Sequence, residues 1–196
     1  MNDLATLARL IENLIRLGTV AEVQLSPPRV RVNTGALTTT WLPWIALRAG
    51  ADKDWNPPTV DEQVLLFSPS GQLGNGIVLA GIFSDQNPAN GNRLGLHRRT
   101  YPDGTVIEYD SAAHHLQAVL VDGATSSLVS TGGIRFVGPI IHEGDYTQQG
   151  NYTQTGDQSV TGKINASADV VAAGISLVNH LHGGVTPGDG QTGAPQ

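Results

Sequence analysis

Two histidines set one residue apart, His180 and His182, are the pair in this chain whose type and spacing best suit chemistry. In an extended strand, residues i and i+2 point to the same face. The pair therefore offers two imidazoles to one side, and imidazole suits iron, nickel, copper or zinc. One chain supplies only two ligands. Three copies meeting here would bring six nitrogens together in two layers, an octahedral set. On spacing alone H-x-H is a weak motif, and two solvated side chains beside the Gly-rich tail GGVTPGDGQTGAPQ are the plainer reading. A hydrolytic metal site would need an open coordination position and a neighbouring acid or base. Six imidazoles leave no open position, and Asp189 is the only carboxylate near the pair.

What must position the pair is the stretch from Gly144 to His182, which reads GDYTQQ, GNYTQT, GDQSVT, GKINAS, ADVVAA, GISLVN and then HLH. Six six-residue units stand in register, five opening with Gly and the fifth with Ala168. A unit so short cannot bury a face alone and must stack. The charged residues Asp145, Asp157, Lys163 and Asp169 all fall on odd numbers. The even set, from Tyr146 through Val160, Ile164 and Val170 to His180 and His182, carries no acid, lysine or arginine. Alternation then predicts one long strand with an inner, even face that ends in the histidines. At about 3.3 Å per residue such a strand spans up to ~130 Å, with open edges that invite pairing. Wrapping three copies about one axis pairs every edge and turns every even face inward. The even residues Gln148, Gln154 and Gln158 leave room for buried water or other ions in the upper part of such a shaft.

The chain has 196 residues, 39% of them hydrophobic and 5% aromatic, thin for one large core but natural for a domain joined to a slim repeat. Its formal charge of −6, or −18 for three copies, disfavours nucleic acid, which requires a basic stripe. Cysteine is absent, so stability must come from metal or oligomerisation rather than disulfides. The opening lacks the pattern of a signal peptide and no apolar run approaches a membrane span, so a soluble, unsecreted polypeptide is expected.

Along the chain, Leu4, Leu7, Leu10, Ile11, Leu14, Ile15 and Leu17 predict a helix over Asp3–Leu17 closed by Gly18. From Thr19 to about Phe83 the signals turn to five short strands: TVAEVQL, RVRVN, TTTWLPWIALRAG, VDEQVLLFS and GIVLAGIFS. Five such strands fit a small OB-fold barrel. SDQNPANGN (84–92) is a linker, and RRTYPDGTVIEYD (98–110) is a hairpin turning at Pro102-Asp103-Gly104. Further strands are expected at 115–121 and 126–130.

The other chemistry-bearing residues have plainer explanations. His97, His114, His115 and His142 read as surface or hairpin residues, although His142 stands where the repeat begins. Trp41, Trp44 and Trp55 could line a sugar-binding face, but more often such residues fill a core or a seam between copies. Asp103, Glu108 and Asp110 lie beside a turn, where solvent contact gives no reason for a raised pKa and hence none for acid/base catalysis. No enzyme is expected. The triplets at Asn151 and Asn165 are chance products of a Thr/Ser-rich repeat. The opening helix, with few charges of mixed sign, is expected to dock on the barrel or a partner rather than on a membrane surface.

The order of these segments resembles the baseplate assembly protein V family, the central spike of contractile phage tails. The shared features are the leucine-rich opening helix, WLPWIALRAG, VDEQVLLF followed by AGIFSDQNP, RRTYPDGTVIEYD, the repeat, and HLHGG with a PGDG tail. The resemblance implies a homotrimer, mainly β, with an OB-fold base, a triple-stranded β-helix shaft and a pointed tip. There His180 and His182 of each chain would hold one iron per trimer. It implies partners in the baseplate hub and tail tube, and a transient one in the outer membrane that the spike punctures when the sheath contracts. The particle would be a phage or an R-type pyocin-like bacteriocin, with the spike made in the bacterial cytoplasm. No lysozyme-like insertion and no fused hub domain is visible, so piercing would be mechanical and the hub a separate chain. The expected division is a helix at 1–18, an OB-fold at 19–92, a neck at 93–143, a shaft at 144–179 and an apex at 180–196. The competing reading is a trimeric receptor- or carbohydrate-binding tail fibre. A fibre should carry an enlarged aromatic head, whereas here the sequence stops 14 residues after the pair.

Overall fold

The computed structural model describes residues 2–181, 183–184 and 188, and the chain divides into two units, residues 1–132 and 133–196. In the first unit, helix α1 (Asn2–Glu12) precedes strands β1 (Ile15–Leu25), β2 (Pro28–Thr34), β3 (Leu37–Thr38), β4 (Gln63–Phe67) and β5 (Ile77–Ile82). These five form one antiparallel sheet in the order β3-β2-β1-β4-β5. The helix is shorter than its leucine spacing predicts. Ile15–Leu17 belong to β1, where they pair with Phe67–Leu65 of β4. That ladder satisfies backbone groups on a whole strand, and tertiary pairing of this kind overrides a local helical pattern. Asn13 marks the break: it is buried, accepts a hydrogen bond from Arg16 (2.9 Å), and lies in the last turn before the chain extends. Gly71 makes room for the helix, since any side chain there would run into the Leu10 backbone (2.6 Å to its Cα).

The segment expected as a strand at 38–50 is mostly irregular, yet it closes the sheet into a barrel. Leu42 exchanges two backbone bonds with Val30 of β2 (2.8 and 2.9 Å). Just beyond it, Pro43 accepts from Val78 of β5 (2.9 Å) and Ile45 donates to it (2.8 Å), a parallel connection. Inside the ring, Val20, Val30, Val32, Leu42, Val64, Leu66 and Val78 are fully buried, with Val23, Trp44, Leu73 and Ala80 packed around them. Every one of the seven is a branched aliphatic residue facing inward at strand spacing, which is the small-barrel pattern expected.

A second, three-stranded sheet completes this unit, with β6 (Leu96–Thr100), β7 (Val106–Asp110) and β8 (His115–Val119) in the order β6-β7-β8. The expected strand at 126–130 makes no ladder among the described residues. No helix is long and apolar enough to cross a membrane among those residues.

Candidate functional site

The second unit has a different physical character. Glycines 138, 144, 150, 156 and 162 recur every six residues, each with φ between +109° and +142°, a region that side chains disfavour. A bend recurs at Ala168, where the sixth member of the series lacks glycine. The series thus begins one unit earlier than the sequence motif suggested, at Gly138.

Side chains repeat the same period. The Tyr146 hydroxyl donates to Gln148 (3.0 Å), whose amide donates to the Asn151 carbonyl (2.9 Å). Six residues on, Tyr152 donates to Gln154 (2.9 Å) and Gln154 to the Asp157 carbonyl (2.7 Å). His142 Nε2 stands 3.0 Å from the Asp145 carbonyl, at the position Gln148 and Gln154 hold in later units, and its ring packs edge-on against Tyr146. His142 is therefore a member of the repeat and not a bystander. Glycine is the visible signal; the Tyr-x-Gln rhythm is the subtler one.

Apart from these contacts, the described residues of the repeat pack on little within their own unit. Among the described residues of this unit none is buried, and only Ser176 is half-buried. Ile164 and Tyr146 are 73% and 71% exposed. Over residues 134–169 no backbone–backbone hydrogen bond forms among the described residues.

At its C-terminal end the chain does not run straight to the histidines, as alternation predicted. β9 (Val171–Ala172) and β10 (Ile175–Ser176) form a tight hairpin turning at Ala173 (φ 50°) and Gly174 (φ 84°). Positive φ at both central residues is the geometry of the tightest hairpin turns. The pairing puts Ala172 opposite Ile175, so the phase carried on even numbers passes to odd ones. A second turn over residues 177–179 follows. Asp169 ties the two turns together: its carboxylate accepts from Ser176 and from backbone N–H groups including Val178 (3.2 Å), and these bonds hold its pKa below the ordinary carboxylate range. The phase of His180 therefore cannot be extrapolated from the repeat.

His180 itself is held by the Ser176 carbonyl, 2.9 Å from Nδ1 and 3.2 Å from its backbone nitrogen. A carbonyl oxygen only accepts, so Nδ1 is the donor of this bond, and a metal would be bound through Nε2. His182 lies outside the described residues, and no group of three or more metal-ligating side chains occurs within the described part of one chain. A tip ligand set would fit this chemistry, with His180 binding through Nε2.

The remaining candidates have structural roles. Glu108 is buried rather than solvent-facing: it receives Arg98 (2.5 Å) and Gln117 (2.6 Å), its partners across the three-stranded sheet. The Arg98 guanidinium holds its pKa below the usual range, and Arg93 does the same for Asp110. Depressed carboxylates already paired with arginine are poor proton donors. Asp103 caps its own turn by accepting from Thr105 N–H (2.9 Å). Trp44 packs against the barrel core, Trp55 leans on it at 6.0 Å, and Trp41 sits under Arg31. His97, His114 and His115 are exposed on or beside the small sheet.

Residues 16–83, the barrel just described, match the family model of the type VI secretion system/phage-baseplate injector OB domain. Residues 174–196, from the hairpin turn onward, match the GpV apex motif. The spike protein of Escherichia phage P2 is 40% identical to this chain over 146 residues, which cover 72% of this chain and 67% of that protein. A barrel of the injector type, an apex motif and 40% identity over 72% of the chain place it in the phage-baseplate spike family.

Proposed function

We propose that this baseplate spike is a homotrimer whose three repeats intertwine into a triple-stranded β-helix, ending in a metal-bound tip that punctures the outer membrane mechanically. One observation carries the reading. The repeat has a recurring six-residue bend and side-chain rhythm, yet over residues 134–169 it makes no backbone–backbone hydrogen bond and buries no apolar side chain among the described residues. Unpaired strand backbone and exposed Ile, Val and Tyr at regular spacing are a template for other strands, and identical copies offer the matching period. Wrapping three of them pairs the edges and covers residues such as Val160 and Ile164.

At the tip, His180 and His182 from each copy would supply six imidazole nitrogens, and the ion would staple three chain ends that otherwise fray. Iron is the identity the family resemblance implies. The arginine-paired carboxylates speak for a mechanical rather than an enzymatic device, in which a narrow, internally bonded shaft concentrates the force of sheath contraction. Its partners would be the hub and tail tube above and the outer membrane below, in a phage or bacteriocin tail.

Native mass spectrometry of the full-length protein tests trimer and metal together, with and without the double change His180→Ala, His182→Ala. The expected result is a mass of three chains plus one iron, with the iron lost in the variant. A bare trimer would remove the tip chemistry and keep the spike. A monomer would overturn the reading.

A further inference from the structure

The barrel carries an apolar surface on its outside as well as its inside. In β1, β4 and β5 the residues between the core positions form two complete cross-strand rows: Ile15–Phe67–Ile77 and Leu17–Leu65–Leu79. Ile15 and Leu17 are 59% and 57% exposed, and the outer residues of β5 are more than a third exposed. The next row opens with the polar pair Thr19 and Gln63, which bounds the patch on β1 and β4, and ends at Ile82 on β5. Nearby, α1 shows a second unpartnered surface. Its buried contact is Leu10 against Gly71, whereas Leu4, Leu7 and Ile11, continued by Leu14, form an exposed stripe at helical spacing.

A sheet with one naked apolar face lacks a layer, and so does a helix with a naked stripe; stable folds pair the two. Contiguous exposed apolar rows of this kind mark interaction surfaces. Here one chain owns both halves but does not join them, since both remain exposed within it. Two different surfaces that fit each other make a heterologous contact, which closes into a ring when repeated around a threefold axis.

We infer that the leucine stripe of α1 in one copy covers the outer face of β1, β4 and β5 in the next, giving the barrels an interface of their own. This rests on the three-copy reading, and the experiment separates the two. The chain has no cysteine, so single-cysteine variants of the full-length protein each report on one position. Maleimide labelling of Leu7→Cys and Leu79→Cys is compared with Leu47→Cys, a barrel-loop residue 92% exposed outside the patch, with native mass measured on each sample. The expected result is a three-chain mass with both test positions labelled at least about ten-fold more slowly than the control. Adding Leu7→Glu and Ile11→Glu should restore fast labelling at Leu79→Cys. A trimer that labels at the control rate overturns the inference and leaves the three-copy reading standing. Protection that survives the two glutamates also overturns it, because some other element is then the cover. A single-chain mass overturns both.

Discussion

The barrel and the repeat solve the same problem in opposite ways. Residues 1–132 bury seven aliphatic side chains in a ring closed by Leu42–Ile45, and the barrel strands pair their backbones with one another in the same chain. The repeat has comparable apolar residues, including Ile140, Val160, Ile164 and Val170, and buries none of them. What differs is curvature. Strands in the barrel return on one another through turns at Ser26-Pro27 and around residues 68–76, whereas the repeat bends every six residues and folds back only at Ala173-Gly174 among the described residues. On the three-copy reading proposed above, such a segment completes its fold only against other copies.

The sharpest way to break this contrast is to put charge on one face of the repeat. Val160→Asp or Ile164→Asp should abolish assembly, because each copy would bring a carboxylate into a space without water. Thr161→Asp should be tolerated, and the barrel should stay folded in all three. Sedimentation reads the number of chains and circular dichroism the barrel. Assembly that survives at 160 and fails at 161 would reverse the assignment of faces. The converse experiment strikes the barrel. Leu66→Ala removes a fully buried side chain and should cost about 2–5 kcal/mol in barrel stability, measured by chemical denaturation, while the chain count stays the same. If Leu66→Ala dissociates the assembly instead, the two regions are not independent.

Much of this division was legible from residue order alone. The barrel strands follow from alternation and from Gly and Pro punctuation, and the repeat from its glycines. The failures have identifiable causes. Ile15 and Leu17 continue a helical spacing, and only their ladder with Phe67 and Leu65 turns them into strand. The stretch 38–50 reads as a strand but contributes single bridges, since Pro43 cannot donate and the segment serves two strands at once. The apex hairpin was hidden inside the repeat: Ala173-Gly174 is a weak turn signal, and the period conceals that it reverses the chain. Glu108 looked solvent-facing because a turn was close, although its cross-strand neighbours Arg98 and Gln117 enclose it. The pairing of His180 with the Ser176 carbonyl had no sequence signal at all.

The smallest expected effect concerns the three-stranded sheet, whose backbone ladders are supplemented by ion pairs rather than by a buried aliphatic core. Arg98 depresses the Glu108 pKa, and Arg93 with the Ala112 and Ala113 amides depresses that of Asp110. A carboxylate whose pKa is lower folded than unfolded contributes stability above its unfolded value, and that contribution is lost as pH falls through the folded value. The sheet should therefore be unaffected between pH 8 and 6 and weaken only below the ordinary carboxylate range, about pH 4. Glu108→Gln keeps the shape and the Gln117 contact site but removes the charge. Its melting temperature should lie below that of the parent at neutral pH and converge with it in acid. The gap should be modest, because Arg98 is partly exposed and water screens the pair. Both partners belong to one chain, so the gap should not depend on protein concentration, unlike any change made in the repeat. A gap that grows on dilution would mean that this sheet, too, is completed by a neighbouring copy, and the boundary between self-sufficient and shared structure would move from residue 132 back toward the barrel.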